Sequence, residues 1–103
     1  MYKICVYVPE KSVETVKQAL FDSGAGRIGN YDSCCWQTTG SGQFRPLQGS
    51  NPTIGALDLV ETVTEIKLEL VCEDKLVVAA IQAIRDSHPY EEPAFDVWSL
   101  ADF

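Results

Sequence analysis

Apolar and polar residues alternate over positions 2–8, with Tyr2, Ile4, Val6 and Val8 on one side and Lys3, Cys5 and Tyr7 on the other. A period of two is that of a strand with two unlike faces, and Pro9 closes it. The period then changes. Val13, Val16, Ala19 and Leu20 recur at helical spacing, which predicts an amphipathic helix from Glu10 or Ser12 to near Asp22. Ser12 suits its N-cap and Gly24 its stop. Positions 31–38 read as a second strand. Positions 60–71 alternate most clearly: Thr62, Thr64, Ile66, Leu68 and Leu70 form a face suited to a core, and Val63, Glu65, Lys67 and Glu69 a face suited to solvent. Asp74 is placed to cap a second helix whose stripe is Leu76, Val77, Ala80, Ile81 and Ile84, ending near Ser87. Positions 94–100 form the last strand.

The order β-α-β-β-α-β predicts an α+β, ferredoxin-like sandwich: an antiparallel sheet with two helices on one face. A chain of 103 residues fits one domain, 1–103. In this topology the first two strands run parallel and the third returns. Three connections then meet at one end of the sheet: residues 8–12, the segment after the second strand, and the segment after the second helix. Residues 24–30 fall at the opposite end.

Two segments stand apart from these periods. Residues 39–59 collect Gly40, Gly42, Gly49, Gly55, Pro46 and Pro52 with Ser41, Ser50 and Asn51, which reads as a long loop or irregular hairpin. Loops of that length in a small domain are often functional. The run His88-Pro89-Tyr90-Glu91-Glu92-Pro93 holds the only histidine, two carboxylates and a phenol between two prolines. Each proline disfavours helix at the residue before it, so the second helix ends at His88 and Glu92 is extended. Such a run serves a metal, a ligand amine or a partner chain, or it is a stiff helix-to-strand connector. If carboxylates flank a metal-free imidazole, its pKa rises.

Charge narrows the partners. The formal net charge is -7, which opposes nucleic-acid phosphate and anionic membranes. No apolar run approaches the ~18 residues of a spanning helix, and the N-terminus lacks a signal-peptide pattern, so a cytoplasmic setting is expected. Cys5, Cys34, Cys35 and Cys72 show no Cys-x-x-Cys spacing; they are expected as reduced thiols, mostly buried or half-buried.

Gly24-Ala25-Gly26-Arg27-Ile28-Gly29 spells a dinucleotide fingerprint in the wrong context. A helix precedes it and a strand follows, whereas pyrophosphate needs a helix N-terminus after the glycines. Turn formation is the better use of these glycines. Nucleophilic catalysis lacks a base beside Ser or Cys, since His88 is the only imidazole. Glu91 and Glu92, adjacent in an extended segment, diverge and make no acid/base dyad. No catalytic and no cofactor-binding residue is assigned. The one candidate cofactor is a divalent transition metal, with His88, Glu91 and Glu92 as ligands and further donors from a second or third chain. Trp36, Phe44, Tyr90, Phe95 and Trp98 are expected as core or interface anchors rather than nucleobase platforms.

Several stretches together carry a family resemblance: 24–34 (GAGRIGNYDSC), 42–46 (GQFRP), 49–55 (GSNPTIG), Glu61 and 88–94 (HPYEEPA). They resemble the domain inserted in many bacterial Nif-three-like proteins (the NGG-one interacting factor three family), and the likeness runs nearly end to end. That domain is similar in fold to PII signalling proteins and to CutA, which has a similar His-Pro-Tyr-Glu-x-Pro run. The resemblance implies a homo-oligomer, with a trimer as the form of both relatives. It also implies a small-molecule or protein partner near the loop between strands two and three, where Phe44, Arg45 and Tyr90 are the candidate ligand or interface residues. The two halves that carry the two-metal centre of the full-length proteins are not among these 103 residues, and one histidine cannot rebuild that centre. A non-enzymatic binding or regulatory module is therefore the expected function, and a divalent-metal protein of the CutA kind the alternative.

Overall fold

A computed structural model describes residues Met1–Phe103. Its elements are β1 (Tyr2–Pro9), α1 (Val13–Asp22), β2 (Trp36–Phe44), β3 (Glu61–Cys72), α2 (Val77–Ser87) and β4 (Phe95–Ser99), with a 3-10 turn leading into each helix. The sheet order is β2-β3-β1-β4, and every neighbouring pair is antiparallel. This is the α+β sandwich that the alternating periods predict.

Register sets the core. Ile4, Val6 and Val8 on β1 stand opposite Leu70, Leu68 and Ile66 on β3. The helices close over that face with Val13, Val16 and Leu20 from α1 and Ala80 and Ile84 from α2, while Leu76, Ile81 and Phe95 pack at its margin. One continuous cluster thus joins β1, β3 and both helices, with β4 adding Phe95 at the margin. Thr62 and Thr64 lie beyond it and are exposed, because the helices cover only the inner half of β3. Neither expected cap forms through a side chain. The Asp74 carboxylate meets the amino terminus of Met1 instead.

β2 departs from expectation. It begins at Trp36 rather than Tyr31 and continues to Phe44, through a stretch that its glycines mark as loop. The long β3 supplies partners throughout, from Trp36↔Glu69 to Phe44↔Glu61, and this pairing outweighs the weakening that glycine brings to a strand interior. The true loop is 45–60. Of the cysteines, Cys5 and Cys72 are buried, Cys34 is half-buried and Cys35 is exposed; burial raises the thiol pKa of the first two.

The glycine segment is stitched to the far end of the sheet. The Gly26 N–H donates to the Val71 carbonyl at 2.8 Å, and the Gly26 carbonyl accepts from Cys34 N–H at 2.8 Å. Its φ of 80° is left-handed, and a Cβ there would sit 2.8 Å from the Cys34 carbonyl oxygen and 2.9 Å from the Phe21 ring. Gly26→Ala is expected to cost about 1–3 kcal/mol, from backbone strain and close approach. An unchanged denaturant midpoint would contradict that. Because this amide serves the turn, titration with NADH is expected to show no saturable change in cofactor fluorescence.

Candidate functional site

The end of the sheet where β1 finishes and β4 begins gathers the two unusual segments. α2 stops at His88, whose φ -74° and ψ 136° are extended, as the following Pro89 requires. From there the imidazole turns inward. Its Nε2 lies 2.8 Å from the Tyr7 carbonyl oxygen, and its Nδ1 accepts the Tyr90 backbone N–H at 3.1 Å. These partners select the tautomer with hydrogen on Nε2. The residue is 7% exposed. His88 thus pins the 88–93 run to the end of β1.

This placement reverses the expected pKa shift. Burial holds the imidazole below its ordinary value of 6.5, while the Tyr7 carbonyl and the Glu65 charge oppose the fall without overcoming it. Protonation would also remove the acceptor that Tyr90 N–H uses. A pKa depressed on folding means that the unfolded chain takes the proton first. Stability from this group is therefore complete above pH 6.5 and is lost as pH falls through the lower folded pKa. Denaturation midpoints across pH 5–8 should show that loss in the wild type and a smaller one in His88→Gln.

The loop 45–60 lies against the same run. The Glu91 carboxylate accepts Asn51 N–H at 3.0 Å, and the Thr53 hydroxyl donates to the Pro89 carbonyl at 2.8 Å. The Phe44 and Tyr90 rings meet with centroids 5.9 Å apart and planes at 57°. Between loop and run lies a groove of about 420 Å³, lined among others by Phe44, Arg45, Pro46, Ile54 and Tyr90. Of the candidate ligand residues, Phe44, Arg45 and Tyr90 therefore share one groove. Its rim also carries Glu65, Glu91 and Glu92. The Tyr90 hydroxyl is buried without a hydrogen-bond partner, and burial, then Glu65 and Glu61, raise its pKa.

Glu65 was not foreseen as part of this site. Alternation assigns it to the solvent face of β3, but only register places it beside the groove. Gly42 makes room: a Cβ there would overlap the Glu65 carboxylate. A second depression of about 500 Å³ lies on the sheet face away from the helices, between Tyr7, Gly40, Lys67 and Glu69.

The proposed metal ligands do not converge within one chain. Both His88 nitrogens are engaged, one Glu91 oxygen holds the loop, and no three His, Cys, Asp or Glu side chains gather as a metal site would require. No helix is long and apolar enough to cross a membrane.

No family model matches the chain. Individual proteins do. The GTP cyclohydrolase 1 type 2 homolog of Listeria monocytogenes is 46% identical over 99 residues, which are 95% of this chain and 26% of that protein. The Bacillus cereus protein related to NIF3 superposes with a TM-score of 0.84 at 38% identity, over 98% of this chain and 26% of that one. CutA from Xylella fastidiosa gives a TM-score of 0.70 at 24% identity, over 99% of this chain and 85% of its own. At that identity CutA shares the fold alone. By sequence and by fold, the chain is a homologue of a domain that makes up about a quarter of these NIF3-related proteins, built on the CutA architecture.

Proposed function

We propose that this domain is a non-catalytic binding or regulatory module that works as a homo-oligomer and receives its ligand in the groove between 45–60 and 88–94. The groove carries the reading: a long loop is held by defined hydrogen bonds against a proline-stiffened run, with two aromatic rings between them. Such preformed concavities with a few convergent polar groups are typical of small-ligand sites. The single imidazole, closed into the fold on both nitrogens, supports a non-enzymatic role. The cyclohydrolase name belongs to proteins four times longer, and no activity is transferred from it.

Surface area supports the oligomer. The chain exposes 6665 Å², against about 5,800 Å² for a compact monomer of its mass. Its radius of gyration of 14.5 Å exceeds the roughly 13 Å of a compact chain this long. Large apolar side chains are among the exposed surface: Trp36, Leu57, Leu59, Val60 and Trp98 are all exposed. The alternative, a CutA-like metal protein, would have to recruit the exposed Glu91 and Glu92 of neighbouring copies.

Native mass spectrometry with and without added zinc and copper tests these readings together. A defined oligomer that survives chelation is the expected result. A monomer at micromolar concentration would overturn the oligomer, and assembly only on adding metal would replace the leading reading with the alternative.

A further inference from the structure

The charges and walls of the groove narrow what it would hold, and this inference rests on the ligand-site reading above. Three carboxylates line the groove, Glu65, Glu91 and Glu92, against one guanidinium, Arg45. None of the four takes part in the chain's ion pairs, so the lining keeps an uncompensated negative charge. Glu91 spends one oxygen on Asn51 N–H. Glu65 lies across β2 in the space left by Gly42, beside the Phe44 end of the groove. The same field reaches the buried Tyr90 hydroxyl, whose ionisation is opposed first by burial and then by Glu65 and Glu61.

The walls are apolar and partly aromatic. The rings of Phe44 and Tyr90 meet at 57°, forming a corner rather than a stack, and Pro46, Pro52 and Ile54 line the loop side. Aromatic faces attract cations and apolar bodies alike, and carboxylates at the rim add directional acceptors. An anion would meet three carboxylates. A bare metal ion would find no converging donor set. A neutral ligand would leave the lining charge unanswered.

We propose that this groove takes a small organic cation whose amidinium or ammonium group is carried on a flat apolar body. The body lies in the Phe44–Tyr90 corner, and the charged group faces Glu65 and Glu92. Arg45, the one cation of the lining, disfavours a second positive group at its own end and so orients the ligand.

The test uses the whole chain, isotope-labelled, with amide NMR titration by benzamidine, neutral benzamide and anionic benzoate. Benzamidine is expected to move the amides of residues 43–54 and 90–94 saturably and to bind about tenfold more tightly than benzamide, with binding weakened by salt. Glu65→Gln and Glu92→Gln should each weaken it about fivefold, while amides outside the groove keep their positions and so report an intact fold. If benzamide or benzoate binds there as tightly as benzamidine, the cation preference falls and the groove remains a ligand site. Wild-type affinity in both glutamine variants likewise removes the charge assignment. If none of the three compounds moves these amides, both the cation preference and the groove as a ligand site are overturned.

Discussion

Leu68→Ala is expected to destabilise the domain by about 2–5 kcal/mol. Leu68 is 0% exposed. It stands on β3 opposite Val6 of β1 and Gln37 of β2, beneath both helices. Removing its outer carbons loses their burial and leaves a void that three strands and two helices cannot close without breaking their own register. For a domain this size, each kcal/mol lowers the midpoint temperature by roughly 4–8 °C. Chemical denaturation at a fixed protein concentration measures the loss, since self-association would make the midpoint concentration-dependent. A change below about 1 kcal/mol would mean that β3 presents its other face to the helices.

The second large effect is at His88. His88→Ala removes an imidazole that serves two backbone groups, the Tyr7 carbonyl and the Tyr90 N–H. Each buried group left without a partner costs about 1–3 kcal/mol, so a total near 2–4 kcal/mol is expected at pH 7.5. The consequence extends to the groove. Tyr90 forms one side of its aromatic corner, and His88 holds the Tyr90 backbone in place. Amide signals of residues 89–94 should therefore broaden or shift, and the perturbation should reach Asn51 and Thr53 through their bonds to Glu91 and Pro89. The stability gap between wild type and His88→Ala should narrow as pH falls below 6.5, because the protonated imidazole has already lost its bond with Tyr90 N–H. A variant as stable as wild type would remove the structural role given to this histidine.

The periods of two and 3.6 in this sequence were enough for the element order, the sandwich and most of the core. Ile4, Val6, Val16, Leu20, Leu68, Leu70, Ala80 and Ile84 repeat at the spacing of the face they bury. Topology alone also brought the long loop, read from composition as 39–59 and narrowed by the structure to 45–60, and the 88–93 run to the same end of the sheet, because a βαββαβ chain has few ways to close. Phe44, Arg45 and Tyr90, the candidates that the family resemblance implies, lie in or beside these two segments and line one groove.

What local sequence concealed depends on long-range partners. Gly40 and Gly42 mark a loop by composition, yet β3 offers ladder positions along their whole length and draws them into β2. Cys35 and Trp36 are apolar enough for burial, yet both are exposed, Trp36 as the first residue of the edge strand β2. Glu65 belongs to the groove only because Gly42 leaves space for its side chain. His88 shows the division most clearly. Its neighbours in sequence are acids and a phenol, from which a charged imidazole follows. Pro89 sets the backbone there extended, and the path of the chain then swings the ring under the run toward Tyr7, a residue 81 positions away. Sequence by itself determined which residues are apolar and at what period, and so the fold. Only the tertiary structure decided side-chain direction at the chain's turns, because direction there follows from which distant backbone group is left to be satisfied.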